Sequence, residues 1–274
     1  MSAPDPAAAL QRLLAIMARL RDPAAGCPWD REQDFASIAP HTIEEAYELA
    51  AAIAEGDPAT IRDELGDVLF QVVFHARLAE ERGWFGFAEV AAAIAGKLER
   101  RHPHVFGVEA AAAPRDAASL SQSWEQGKQR ERAARGRQGV LADVPLALPA
   151  LTRAAKLGRR AAHVGFDWPE PRGARAKLDE ELDELDAALA GGDPAALADE
   201  LGDVLFCVVN VARLNGINPE TALQAANRKF ERRFAAMERL AAADGRSLRE
   251  LDFAAWDAYW LAAKRFSPGS GTPA

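Results

Sequence analysis

Glu64-Leu65-Gly66-Asp67-Val68-Leu69-Phe70 recurs letter for letter as Glu200-Leu201-Gly202-Asp203-Val204-Leu205-Phe206, 136 residues further on. That offset is close to half of the 274-residue chain. The same register carries Glu44-Glu45-x-x-Glu48-Leu49 onto Glu180-Glu181-x-x-Glu184-Leu185, and Trp124-x-x-x-Lys128 onto Trp260-x-x-x-Lys264. Lys97-Leu-Glu-Arg-Arg101 returns as Lys229-Phe-Glu-Arg-Arg233 at an offset of 132, so a loop has changed length while the elements persisted. A period this long exceeds that of any solenoid repeat and reads as the duplication of a whole domain. The first domain is expected over 1–135 and the second over 136–274, divided in the basic, glycine-punctuated stretch from Arg135 to Asp143.

The pattern inside each half is helical. Leu10, Leu13, Leu14, Met17 and Leu20 recur at three- and four-residue spacing until Gly26-Cys27-Pro28 breaks the run. Thr42-x-x-Glu45 reads as the capping box that starts the next helix, which ends near Gly56-Asp57-Pro58. A third helix is expected from about Ala59 to Glu81 and a fourth from Phe87 to Arg101. The second half repeats this near Leu148 to Ala162, Arg175 to Ala190, Pro194 to Leu214, Pro219 to Ala243 and Asp252 to Arg265. The expected fold class is all-α, two tandem helical-bundle domains.

Composition agrees. Alanine supplies about a fifth of the residues, a bias toward helix that argues against a mostly β protein. A formal net charge of -8 argues against a nucleic-acid partner and suits either plain solubility or a cation-dependent acidic site. Two cysteines, Cys27 and Cys207, are too few to staple a fold, and no apolar run approaches a membrane span, so a cytoplasmic protein is expected.

On a helix, Glu180, Glu181 and Glu184 fall within a 100° arc, as do Glu44, Glu45 and Glu48. Glu200 and Asp203 follow after a Gly191-Gly192-Asp193-Pro194 turn, so five carboxylates are brought to one hairpin. On an exposed face such acids serve solubility alone. Asp203, however, heads the run Val204 to Val209, apolar all round and therefore expected to be buried on most sides. Two unit charges at about 4 Å repel by about 4 kcal/mol at an effective dielectric near 20, so acids gathered at a core edge need a cation. Oxygen-only ligation points to Mg²⁺ or Mn²⁺, and a di-iron centre, which expects Glu-x-x-His, is demoted because the partner of Glu200 is Asp203 and the second half has only His163. Gly66 and Gly202, in mid-helix, suit either helix packing or the close approach of another group. Lys229 and Arg233, one turn apart, have the spacing for phosphate oxygens, and Trp260 with Lys264 offers an aromatic face and an ammonium. No Walker loop, dinucleotide fingerprint, zinc spacing or nucleophile elbow occurs.

These motifs, together with Gly26-Cys27-Pro28-Trp29-Asp30, Lys97 to Phe106 and Val164-Gly-Phe-Asp-Trp168, resemble the MazG family of nucleoside triphosphate pyrophosphohydrolases over nearly the whole chain. The resemblance implies tightly paired protomers, a homodimer whose helix hairpins form four-helix bundles. It also implies Mg²⁺-dependent hydrolysis of standard and non-canonical (deoxy)nucleoside triphosphates to monophosphate and pyrophosphate, credited to the C-terminal unit. By it, Glu180, Glu181, Glu184, Glu200 and Asp203 hold the metal, and one of the first three handles the attacking water. Lys229, Arg233, Trp260 and Lys264 hold phosphates and nucleotide.

The first half keeps Glu44, Glu45, Glu48, Glu64, Asp67, Lys97, Arg101, Trp124 and Lys128, so ligand loss does not distinguish it. A difference lies at Asn210, seven residues after Asp203 and on its face, where the first half has Phe74. Asn210 is accordingly expected to meet substrate, and Phe74, with a longer Gln33 to Thr42 segment, to narrow the first pocket. Two alternatives are a narrower substrate, dUTP or phosphoribosyl-ATP, and a first half that binds nucleotide or docks a partner without turnover.

Overall fold

The structure, a computed structural model, describes residues 5–107, 127 and 139–265. Among these every regular element is helical and no strand occurs. The chain separates into two compact units, one ending at Glu131 and the other beginning at Arg132. Trp124, Lys128 and Arg135 lie outside the described residues. No described helix is long and apolar enough to cross a membrane.

The first unit comprises α1 (Pro6–Leu20), α2 (Pro28–Glu32), α3 (Phe35–Glu55), α4 (Pro58–Glu81), α5 (Phe87–Arg101) and α6 (Pro103–Phe106). Helices α3 and α4 form a hairpin against which α1 and α5 pack. Its turn is set by Gly56, left-handed at φ 83°, and by Asp57, whose carboxylate accepts from the Ala59 and Thr60 amides ahead of Pro58. A proline in the first turn loses no helical hydrogen bond and the Asp caps orphan donors, so the boundary is sharp. Met17, Ile38, Val73, Phe74 and Leu78 make the core.

The second unit comprises α7 (Ala150–Ala162), α8 (Pro171–Gly191), α9 (Pro194–Leu214), α10 (Pro219–Ala243), a 3₁₀ turn (Leu248–Glu250) and α11 (Phe253–Arg265). Helices α8 and α9 repeat the hairpin, with Gly192 at φ 72° and Asp193 as cap. Helix α7 lies against α9 and α10, and α11 against α10.

Two readings are corrected. Helix α3 starts at Phe35, seven residues before the predicted Thr42. Asp34 and Ser37 form the working capping box, and Pro40 is carried inside the helix. Most of the Gln33 to Thr42 segment is therefore helix. The Val204 to Val209 run is not buried all round: Val204, Cys207 and Val209 are buried, whereas Leu205, Phe206 and Val208 are exposed, with Leu201 beside them. Within the single chain Gly66 and Gly202 face open space, where an added Cβ would meet nothing within 4 Å.

Candidate metal and nucleotide site

The α8–α9 hairpin sets Glu181 and Glu184, one turn apart on α8, against Glu200 on α9. One carboxylate oxygen from each lies within 4.8 Å of the others. The α3–α4 hairpin does the same with Glu45, Glu48 and Glu64. Glu181 is only 5% exposed, and its Oε2 atom is buried with no hydrogen-bond partner; Glu64 Oε2 is in the same position. A buried carboxylate oxygen without a donor is costly, and among carboxylates it is doubly so. The donor set is hard oxygen throughout, which fits a hard divalent cation such as Mg²⁺.

One cation of the chain already touches this group. Lys177 Nζ lies 2.8 Å from Glu181 Oε1 and 2.7 Å from Glu180 Oε1. These two contacts, that to Glu180 first, raise the ammonium's proton affinity. Sequence reasoning passed over Lys177, although its position one turn before Glu181 was the available signal. The repeat position in the first unit is His41, which faces Glu44 at 3.4 Å. Glu180 and Glu44 are thus engaged outside the two trios. Asp203 is exposed on α9 and acts on the buried Cys207 thiol, which burial chiefly, and then Glu181 and Asp203, push up. Asp67 acts on Glu45 and Glu64.

Glu45, Glu64 and Glu184 all hold their protons more tightly than an ordinary glutamate. Burial is the largest cause in each, followed by Asp67 for Glu45, Glu48 for Glu64 and Glu181 for Glu184. The folded value lies above the unfolded one, so what these groups contribute to stability is complete below the ordinary value of 4.5 and is lost as pH rises through the folded value. A cation at the trio reverses this by expelling the protons. Calorimetric Mg²⁺ titration is expected to show proton release on the acidic side of neutrality and affinity rising with pH. An affinity flat from pH 4.5 to neutrality would remove the glutamates as ligands.

The basic and aromatic residues form a second group. Phe230, Phe234, Trp256 and Trp260 line a cleft of about 290 Å³ between α10 and α11. Phe230 meets Trp260 at 5.5 Å between ring centroids, and Lys264 Nζ stands 5.9 Å from the Trp260 ring. Arg233 is half-buried with its Nε unpartnered, and Lys229 is exposed one turn before it. No described contact joins Lys229, Arg233, Trp260 or Lys264 to the Glu181 trio. Lys97 and Arg101 are half-buried on α5. Asn210 is 2% exposed and bonded to Arg213 and to the Phe206 carbonyl, on the wall of a cavity facing α7. Phe74, its repeat counterpart, is fully buried in the first unit's core.

The MazG nucleotide pyrophosphohydrolase domain matches the chain twice, at residues 33–106 and 170–236, each match holding one hairpin. The nucleoside triphosphate pyrophosphohydrolase of Escherichia coli (strain K12) is 49% identical over 258 residues, 93% of this chain and 97% of the relative. The nucleoside triphosphate pyrophosphohydrolase/pyrophosphatase MazG of Thermotoga maritima is 43% identical over 255 residues, 93% and 95% of the two chains. The nucleoside triphosphate pyrophosphohydrolase of Mycobacterium tuberculosis is 36% identical over 168 residues, 61% of this chain and 49% of the relative.

Proposed function

This chain belongs to the MazG nucleotide pyrophosphohydrolase family, and from that premise we propose how its residues divide the hydrolysis of nucleoside triphosphates. The substrate is a (deoxy)nucleoside triphosphate, standard or non-canonical, and the products are monophosphate and pyrophosphate. Mg²⁺ is the cofactor, with Mn²⁺ able to replace it. The observation that carries this is the buried, partnerless Glu181 Oε2 within an oxygen-only trio.

Glu181, Glu184 and Glu200 hold the cation, with Glu180 and Asp203 completing its surroundings once Lys177 releases its carboxylates. Bound there, Mg²⁺ supplies neutralising charge to phosphate oxygens and lowers the pKa of water. One carboxylate of the Glu180, Glu181 and Glu184 set takes the proton of the water that attacks the α-phosphorus in line. Lys229 and Arg233 neutralise the charge that develops on the departing pyrophosphate, and Lys264 and Trp260 hold the nucleotide. Asn210 contacts the substrate from α9.

We place the basic group beside the trio through a second copy of the chain. The exposed Leu201, Leu205 and Val208 of α9, with Leu182 and Leu189 of α8, form the face on which it seats. An exposed apolar stripe of this kind suits a two-fold homodimer contact. Two free cysteines suit the reducing cytoplasm.

The first unit carries the same trio but has His41 for Lys177 and Phe74 for Asn210, and we assign it a nucleotide-binding or regulatory role. The test is product analysis on the full chain with Mg²⁺ and a panel that includes dUTP and phosphoribosyl-ATP. Pyrophosphate is expected from several triphosphates, and from wild type and Glu45→Gln alike. Orthophosphate as the sole product would sink the reaction assigned, and turnover of one panel member alone would replace the broad substrate class.

A further inference from the structure

A cavity of about 490 Å³ opens in the second unit where α7, α9 and residues 163–168 meet. Leu141, Leu157, Phe166, Trp168 and Phe206 give it apolar walls, while Asn210, Arg213 and Asp167 supply its polar groups. Apolar walls with a few convergent polar groups are the make-up of a small-molecule pocket.

The three polar groups form one chain. Asp167 grips the Arg213 guanidinium with both oxygens, at 2.9 and 2.6 Å. Arg213 Nε donates to Asn210 Oδ1 at 3.1 Å, and Asn210 Nδ2 donates to the Phe206 carbonyl at 3.2 Å. A guanidinium only donates, so Asn210 must present its oxygen to it and the amide is not free to turn over. These two bonds use one of the amide's two N–H groups and one of its oxygen lone pairs, which leaves it one donor and one acceptor for a ligand. Gly158 makes room for this: a Cβ there would stand 2.8 Å from Asn210 Oδ1 and 3.0 Å from Arg213 Nε.

The duplication supplies a comparison. Where the second unit has Asn210 the first has Phe74, sealed in the core, and Arg77, counterpart of Arg213, is turned to Glu80 and Glu81 on its own helix. The relay therefore belongs to the unit with the cavity and is dispensable to the shared fold.

We propose that this cavity is a nucleobase pocket. Its aromatic walls take the faces of a planar heteroaromatic ring, and the Asn210 amide reads a donor–acceptor pair on the ring edge. Arg213 and Asp167 are positioning residues that fix which way the amide faces. Asn210 stands about 10 Å along α9 from Asp203, within the reach of one nucleotide. The inference deepens the pyrophosphohydrolase reading and rests on it for the class of ring. The ring is either the substrate's own base or that of a second, regulatory nucleotide.

The test is equilibrium binding of adenosine, guanosine, cytidine and uridine to the full chain without Mg²⁺, by calorimetry, with ribose 5-phosphate as the ringless comparison. At least one nucleoside is expected to bind saturably where ribose 5-phosphate does not. Asn210→Leu should weaken it about tenfold, and Leu157→Trp, which fills the cavity from the other wall, should do likewise. Arg213→Lys, which keeps the charge but loses the fork, should change the ranking among the four nucleosides, as a purely structural residue would not. A nucleoside that competes with the triphosphate in turnover identifies the substrate's own base; one that alters the rate without competing identifies a second nucleotide. Absence of saturable binding in wild type, or binding indifferent to both Asn210→Leu and Leu157→Trp, overturns the proposal. If turnover is absent while nucleoside binding is intact, it is the pyrophosphohydrolase reading that fails.

Discussion

Glu181→Gln is expected to lower pyrophosphate release by about a thousandfold or more while leaving the helical circular-dichroism signal unchanged. The substitution keeps size and shape and removes one charge from the centre of the trio, where Oε2 has no hydrogen-bond partner among the described residues. Three effects separate a ligand from a structural acid here. Without metal the variant should be close to wild type in stability, because Glu184 and Glu200 lose a like-charged neighbour, Lys177 keeps Glu180, and the amide oxygen that replaces Glu181 Oε1 can still accept from Lys177. With metal the order inverts: a cation at about a hundred times its dissociation constant stabilises wild type by about 2.7 kcal/mol, and the variant should gain little of it. Thermal melts with and without Mg²⁺, read beside pyrophosphate release, check both. Full activity in Glu181→Gln would refute the metal assignment, and a large loss of stability without metal would make Glu181 a structural residue instead.

Leu205→Glu should convert the protein to monomer at micromolar concentration, measured by light scattering. Leu205 is half exposed, with Leu201 one turn before it and Val208 one turn after. Burying a leucine contributes about 1.5–3 kcal/mol, and a two-fold interface counts each substitution twice. Placing a carboxylate there adds a desolvation cost on top, so dimerisation should weaken by more than a hundredfold. Because the change lies on the exposed side of α9, away from the buried Val204, Cys207 and Val209, the monomer should keep its helicity. A Leu205→Glu protein that remains dimeric would place the partner surface elsewhere.

The sequence disclosed the helices that local chemistry delimits. Helices α5, α9 and α10 start and stop at the residues read from it, because α9 and α10 open on an Asp or Asn cap followed by proline and α5 opens after a glycine. It misplaced the start of α3 because Thr42-x-x-Glu45 has the capping-box pattern, whereas the box that forms is Asp34–Ser37, upstream of it, with Pro40 carried inside the helix. The trios followed from helical spacing and a two-residue turn. What periodicity does not encode is where an apolar stripe finds its cover, so Val204 to Val209 announced burial without saying that half of it lies open on the single chain. Nor does it encode the Asp167–Arg213 pair, formed across 46 residues and visible only once the segment after α7 folds back onto α9.

Lys177 bears on the order of events after synthesis. Many small metal-binding domains cannot fold empty, because their ligands repel one another until the ion arrives. In the second unit an ammonium is already lodged between Glu180 and Glu181, a stand-in supplied by the chain itself. On the metal-site proposal, the hairpin closes with its own cation in place, and loading an ion becomes an exchange of one cation for another rather than a condition for folding. The first unit has only a histidine at that position, set against Glu44 and outside its trio, so the two halves of one chain should mature on different clocks.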